Sequence, residues 1–247
     1  MSGPGPGAAP PGERAPLEAP GAESEPLTIS PGMLAEPDVD GRRDFERGMS
    51  YAPPLTLALI AANVGVFGWQ LASGTLASRE AIVAAGALDR GRVLAGEWWR
   101  LLSAPFLHGD PVHLLSNLLA LYALGMACEH ALGTGGMLVV YLTSAVAGSL
   151  ASIAAGPGPS VGASGAVFGV LGAVVAVLSR HRRDFRVRDR RIGLVLAAWA
   201  VYAIGLGFIT PFVDNGAHLG GLLAGMAAGS LARPVLLENG PEAPHPE

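Results

Sequence analysis

His113, Asn117, Ser164 and His218 are the residues best suited to chemistry, because each falls inside a stretch of otherwise apolar sequence. A strongly polar side chain in such a stretch needs a partner, an aqueous cavity or a task. A serine hydroxyl becomes a nucleophile when a base takes its proton, and histidine has the pKa for that work near neutrality. Ser164 and His218 can form such a pair. Acyl transfer also needs donors aimed at the developing oxyanion. His113 and Asn117, spaced i and i+4 on one helical face, can supply two, and the Ser164 N–H near a helix start a third.

The surroundings of Ser164 read Gly162-Ala163-Ser164-Gly165-Ala166-Val167-Phe168-Gly169, with Pro157 and Pro159 just upstream. The prolines keep the entering chain non-helical, and the small residues let another backbone come close. This is not the nucleophile elbow of soluble hydrolases: Ala166 stands where the second glycine of that motif belongs, and no strand-like segment precedes it. One cysteine, Cys128, excludes an intrachain disulfide and a multi-cysteine zinc site. His108, His113 and His218 have no His-Glu-x-x-His pattern or carboxylate beside them in these stretches, so no metal site is expected.

The elements that must position these groups follow from hydropathy. Of the 247 residues, 50% are hydrophobic and 15% charged, with a mean hydropathy of +0.41, far more apolar than a soluble domain. Apolar residues gather in six segments, approximately 53–73, 111–130, 136–155, 162–179, 191–210 and 216–232, each of a length suited to crossing a bilayer as a helix. The expected fold is an all-α membrane protein, a bundle of six transmembrane helices. Taking the first charge at the far end of each helix as a boundary, Ser164 stands about 24 Å from Arg180, His218 about 23 Å from Arg233 and His113 about 24 Å from Glu129. Three helices therefore bring their polar groups to one layer.

Arginines crowd the loop after the fourth segment, from Arg180 to Arg191, and Arg42, Arg43 and Arg47 precede the first; both places should be cytoplasmic. Six spans then put both termini and the 131–135 turn inside, and loops 74–110, 156–161 and 211–215 outside. Contact with anionic membrane lipids would use the same arginines. The first long loop carries Trp98, Trp99 and Arg100, suited to anchoring at the membrane interface. Residues 1–48 hold nine prolines and no apolar period, so a disordered cytoplasmic tail is expected there. A membrane domain over 49–233 and a short polar tail over 234–247 follow. The formal charge of -4 with no lysine gives no sign of nucleic-acid capture. The Gly/Ala/Arg-rich composition, with no arginine-rich presequence, suggests a bacterial plasma membrane.

Taken together, His108-x4-His113-x3-Asn117, Gly162-Ala163-Ser164-Gly165 and Gly216-Ala217-His218-Leu219-Gly220-Gly221 resemble the motifs of rhomboid intramembrane proteases. Trp99-Arg100 and the Gly221-x3-Gly225 spacing are similar to that family too, and the resemblance covers about residues 50–233. It implies a Ser164–His218 dyad without a third acid and an oxyanion hole of His113, Asn117 and the Ser164 backbone. Gly162 would lie beside it, and Phe168 would pack on the His218 ring where the family often has tyrosine. It further implies no metal or organic cofactor, and substrates that are single-span membrane proteins with locally unstable helices. Gly221 and Gly225, with Gly229 continuing the spacing, would form a close helix-packing seam. His113, Asn117 and His218 could instead serve hydrogen bonds that hold the bundle, and two readings from other classes stand beside the protease. One is an inactive relative that escorts membrane clients, which should lack a dyad member. The other is a small-solute transporter, which should show a repeat of broken helices that the sequence lacks. Oligomeric state is not legible.

Overall fold

The computed structural model describes residues 42–156, 158–187 and 213–238, with a few isolated positions besides. The chain divides into Met1–Pro37 and Asp38–Glu247, and the helices among the described residues belong to the second of these units. Residues 4–41 of the expected tail, and the fifth apolar segment at 191–210 apart from isolated positions, lie outside the described residues.

Helix α1, Pro54–Ala72, starts with proline at its first position, where the missing N–H costs nothing. It has no side-chain cap of its own. Its free N–H groups, those of Leu55 and Thr56, instead donate to the Glu129 carboxylate at 3.0 and 2.9 Å. Three short helices follow, α2 at Arg79–Ala84, α3 at Arg90–Leu94 and α4 at Arg100–Ser103. Helix α5 runs over Pro111–Ala155, opened by the Asp110 cap on the His113 N–H and closed by Gly156 at φ 82°.

Within α5 only Gly133 is non-helical, at φ 69° and ψ 171°, a backbone state that glycine reaches without a Cβ penalty. A Cβ on Gly162 would lie 2.6 Å from the His113 ring, and one on Gly148 3.5 Å from the Gly165 Cα. A straight helix would hold residues 113 and 148 about 52 Å apart, yet they touch positions three residues apart. The chain therefore folds back at Gly133 into two arms.

Helix α6, Ser164–Arg180, enters this hairpin, and α7, Asn215–Leu231, lies against both α6 and α5. The core is filled by Leu121, Leu124, Val140, Tyr141, Val167, Val170 and Ala173, all fully buried. Polar side chains are buried with it: Asn63 and Gln70 on α1, Glu129 and Ser144 on α5.

Among the described residues, three helices are long and apolar enough to cross a membrane: Pro54–Ala72, Pro111–Ala155 and Asn215–Leu237. Ser164–Arg180 is apolar but shorter. The described residues thus form an all-α multi-span bundle in which the expected segments 111–130 and 136–155 are two arms joined directly at Gly133.

Both ends of the described bundle carry residues that dock on it. Residues 42–48, assigned to the tail, lie on the bundle: β1, Arg43–Asp44, pairs in parallel with β2, Phe185–Arg186, and Phe45 is buried edge-on against Phe185 and His130. At the other end, α8, Val235–Glu238, packs Leu236 and Leu237 on the core, and the Leu236 carbonyl accepts from Arg43. A few apolar side chains in a Pro-rich or polar window suffice for docking, and window composition averages them away.

Candidate active site

Ser164 is the first residue of α6 and His218 lies in the first turn of α7. The His218 Nε2 stands 2.8 Å from the Ser164 Oγ. The approach is possible because α6 and α7 meet through backbone. A Cβ on Gly221 would lie 2.7 Å from the Gly165 carbonyl carbon, and one on Gly225 2.6 Å from the Gly169 Cα. A Cβ on Gly229 would meet the Ala173 oxygen at 2.6 Å. The Phe168 ring, fully buried, stacks on the His218 ring with centroids 4.4 Å apart and planes 17° from parallel. His218 is buried, and its Nδ1 has no hydrogen-bond partner among the described residues.

His113 and Asn117 face the segment that leads into Ser164. Gly162, at φ 121°, abuts them both: a Cβ there would meet the His113 Nε2 at 2.6 Å and the Asn117 Nδ2 at 3.6 Å. The segment is held by paired Leu88–Ser160 backbone bonds of 2.9 Å and by the Gly162 N–H donating to the Ala104 carbonyl at 3.1 Å. The Asn117 Nδ2 is buried and donates to nothing among the described residues, so a donor stands free beside Gly162, two residues before Ser164. A small cleft next to these groups is lined by Leu88, Pro105, Ser149, Ser160, Gly162 and Gly165. In this arrangement a serine has a base at hydrogen-bond distance and an uncommitted amide donor nearby, the components of acyl transfer.

His108 is fully buried beside the site, its ring edge-on to His113 with centroids 5.1 Å apart. Gln70 of α1 holds its backbone on both sides, donating to the His108 carbonyl at 3.1 Å and accepting from its N–H at 3.0 Å. Burial, and secondly the neighbouring His113 ring, push the His108 imidazole down to about 4. Gln70 was missed in the sequence, although a polar residue in an apolar span is the signal that found the others.

Arg100 corrects an expectation. Trp98 and Trp99 are exposed, as interface anchors must be, but Arg100 is only 1% exposed. Its guanidinium donates to the Val83 and Ala87 carbonyls at 2.6 and 2.8 Å and pairs with Glu97 at 2.6 Å. It lies 4.6 Å from the Trp99 ring centroid. It fastens the long first loop from within, tying the Val83 and Ala87 carbonyls to the start of α4.

The fold and site together define a multi-span helical membrane protein with a serine and a histidine joined at the mouth of its bundle. Residues 95–234 match the family described as Rhomboid domain. The chain is 39% identical over 183 residues to Rhomboid protease GluP of Bacillus subtilis (strain 168), covering 74% of this chain and 36% of that protein. To RHOMBOID-like protein 5 of Arabidopsis thaliana it is 40% identical over 147 residues, 58% of this chain and 47% of that one. To Rhomboid protease AarA of Providencia stuartii it is 30% identical over 199 residues, 69% of each. The chain belongs to the rhomboid family, and it spans less than half the length of GluP and of RHOMBOID-like protein 5.

Proposed function

We propose that this chain is an intramembrane serine endopeptidase that cleaves peptide bonds in or near transmembrane helices of other membrane proteins. The observation that carries the reading is the 2.8 Å contact between the Ser164 Oγ and the His218 Nε2. His218 takes the hydroxyl proton as Ser164 attacks the substrate carbonyl, and returns it to the leaving amine. Water then reverses the sequence and releases the acyl group. The Asn117 Nδ2, a His113 ring nitrogen and the Ser164 N–H hold the oxyanion. Phe168 keeps the imidazole plane fixed by stacking. The His218 Nδ1, without a hydrogen-bond partner among the described residues, supports a dyad without a third acid.

The substrates are single-span proteins whose helices unwind easily near the outer face, since a helical peptide bond is shielded by its own hydrogen bonds. The topology is six spans with both termini cytoplasmic, residues 49–233 forming the protease domain, in a bacterial plasma membrane. The arginine-rich loop beginning at Arg180 supports that orientation.

Fluorophosphonate labelling of purified protein in detergent tests the reading. Label should map to Ser164 and vanish in Ser164→Ala and His218→Ala, with helical content unchanged. Folded wild-type protein that neither takes label nor cleaves a transmembrane peptide in lipid would refute it.

A further inference from the structure

His218 is carried by a helix with few side chains to hold its place. Along α7, Gly221, Gly225 and Gly229 meet the α6 backbone, with the small Ala217 and the flexible Met226 as neighbouring side chains, and Gly216 and Gly220 face the second arm of α5. Backbone seams allow close approach, but they offer few knobs against sliding or rotation. A hydrogen bond of 2.8 Å between Ser164 and His218 weakens within a few tenths of an ångström. The register of α7 must therefore be fixed at the end where His218 stands.

Asp214 is built for this. Its Oδ1 accepts from the Ala217 N–H at 2.9 Å, and its carbonyl accepts from the His218 N–H at 3.1 Å. Its Oδ2 accepts the hydroxyl hydrogen of Ser152, a buried residue on the second arm of α5. That arm is itself anchored on both sides of Ser152. Ser149 donates to the Leu101 carbonyl at 3.0 Å, and Arg90 donates to the Ile153 carbonyl at 3.0 Å. One carboxylate thus joins the first turn of α7 to the fixed part of the bundle.

We infer that Asp214 is a positioning residue, acting through Ser152 to set the depth and rotation of His218 relative to Ser164. The inference rests on the reading of Ser164 and His218 as nucleophile and base. Asp214 itself touches neither substrate nor Ser164.

The test uses the full chain in nanodiscs, with Asp214→Ala, Ser152→Ala and Asp214→Asn beside wild type. Backbone amide exchange over 214–221 reads the tie whether or not the chain cleaves anything. Cleavage kcat, normalised to the serine titrated by fluorophosphonate, reads its consequence. Both alanine variants should exchange faster over that stretch and lose about tenfold or more in kcat, with KM little changed. Asp214→Asn should recover most of the loss, because a carboxamide still caps Ala217 and still meets the Ser152 hydroxyl. Unchanged exchange would overturn the tie. Faster exchange with unchanged kcat would overturn its role in positioning, and an asparagine variant as poor as alanine would overturn the mechanical account in favour of charge. A wild type that takes no label and cleaves nothing, while exchange still rises in the alanine variants, would instead remove the protease reading and leave the tie standing.

Discussion

Replacing Gly221 by alanine adds one methyl group where two backbones meet, and its cost can be worked from the structure. The new Cβ would lie 2.7 Å from the Gly165 carbonyl carbon, with the carbonyl oxygen closer still, whereas ordinary contact begins at 3.4 Å. Neither neighbour is a flexible side chain, so α7 must move off α6 by about 0.7 Å or more. Gly221 is one turn from His218, and the same movement carries the imidazole with it. The 2.8 Å bond to Ser164 then opens to about 3.5 Å or more, outside the range of a good N···O hydrogen bond. Misplacement on this scale costs on the order of a hundredfold in rate, and overpacking costs about 1–3 kcal/mol in stability. Cleavage of a transmembrane peptide in proteoliposomes, with unfolding followed in parallel, measures both. Gly65→Ala is the control, since nothing lies within 4 Å of a Cβ there. A Gly221→Ala protein that cleaves and unfolds like wild type would refute the backbone-seam account.

Glu129→Ala should destabilise the bundle by about 1–3 kcal/mol, by leaving buried donors of α1 unsatisfied; Glu129→Gln, which keeps one acceptor oxygen, should lose less, as read by thermal unfolding in micelles. Stability should also fall on acidification. The folded chain keeps His108 neutral down to about 4, while the unfolded chain protonates it near 6.5. Between those values the unfolded state binds the extra proton, so its share grows as pH drops through the window. Unfolding midpoints at pH 7.5 and 5 measure the slope, and His108→Gln should reduce it; equal slopes in the two proteins would contradict the burial argument.

The candidate site was legible because polar residues stand out against an apolar background, and because helix rise converts sequence spacing into depth. His113, Asn117, Ser164 and His218 came from that contrast alone. What it could not give is the distance between Ser164 and His218, which depends on three glycines of α7 meeting the α6 backbone. Arg100 was misplaced for a related reason. Beside Trp98 and Trp99 it has the composition of an interface belt, and its real partners, the Val83 and Ala87 carbonyls, are brought to it by the fold of the loop. Glu129 looked like the charged end of a span. It is a cap for a helix 73 positions earlier in the chain, and no local pattern announces such a partner. Gly133 sat in a turn read between two segments, but that the helix resumes at once on the other side is a matter of one residue's φ.

The glycine seam also sets which substitutions this protein can explore. Along α7, Gly221, Gly225 and Gly229 recur every fourth residue with no room for even a methyl group, while Leu219 and Leu223 between them are exposed on the bundle's outer surface. The helix is therefore two populations of sites under opposite rules. One accepts a single residue type, and the other accepts any side chain the surrounding lipid will dissolve. Neutral drift is channelled onto the lipid-facing stripe, so α7 can be rewritten for a bilayer of different composition without disturbing the separation of Ser164 and His218.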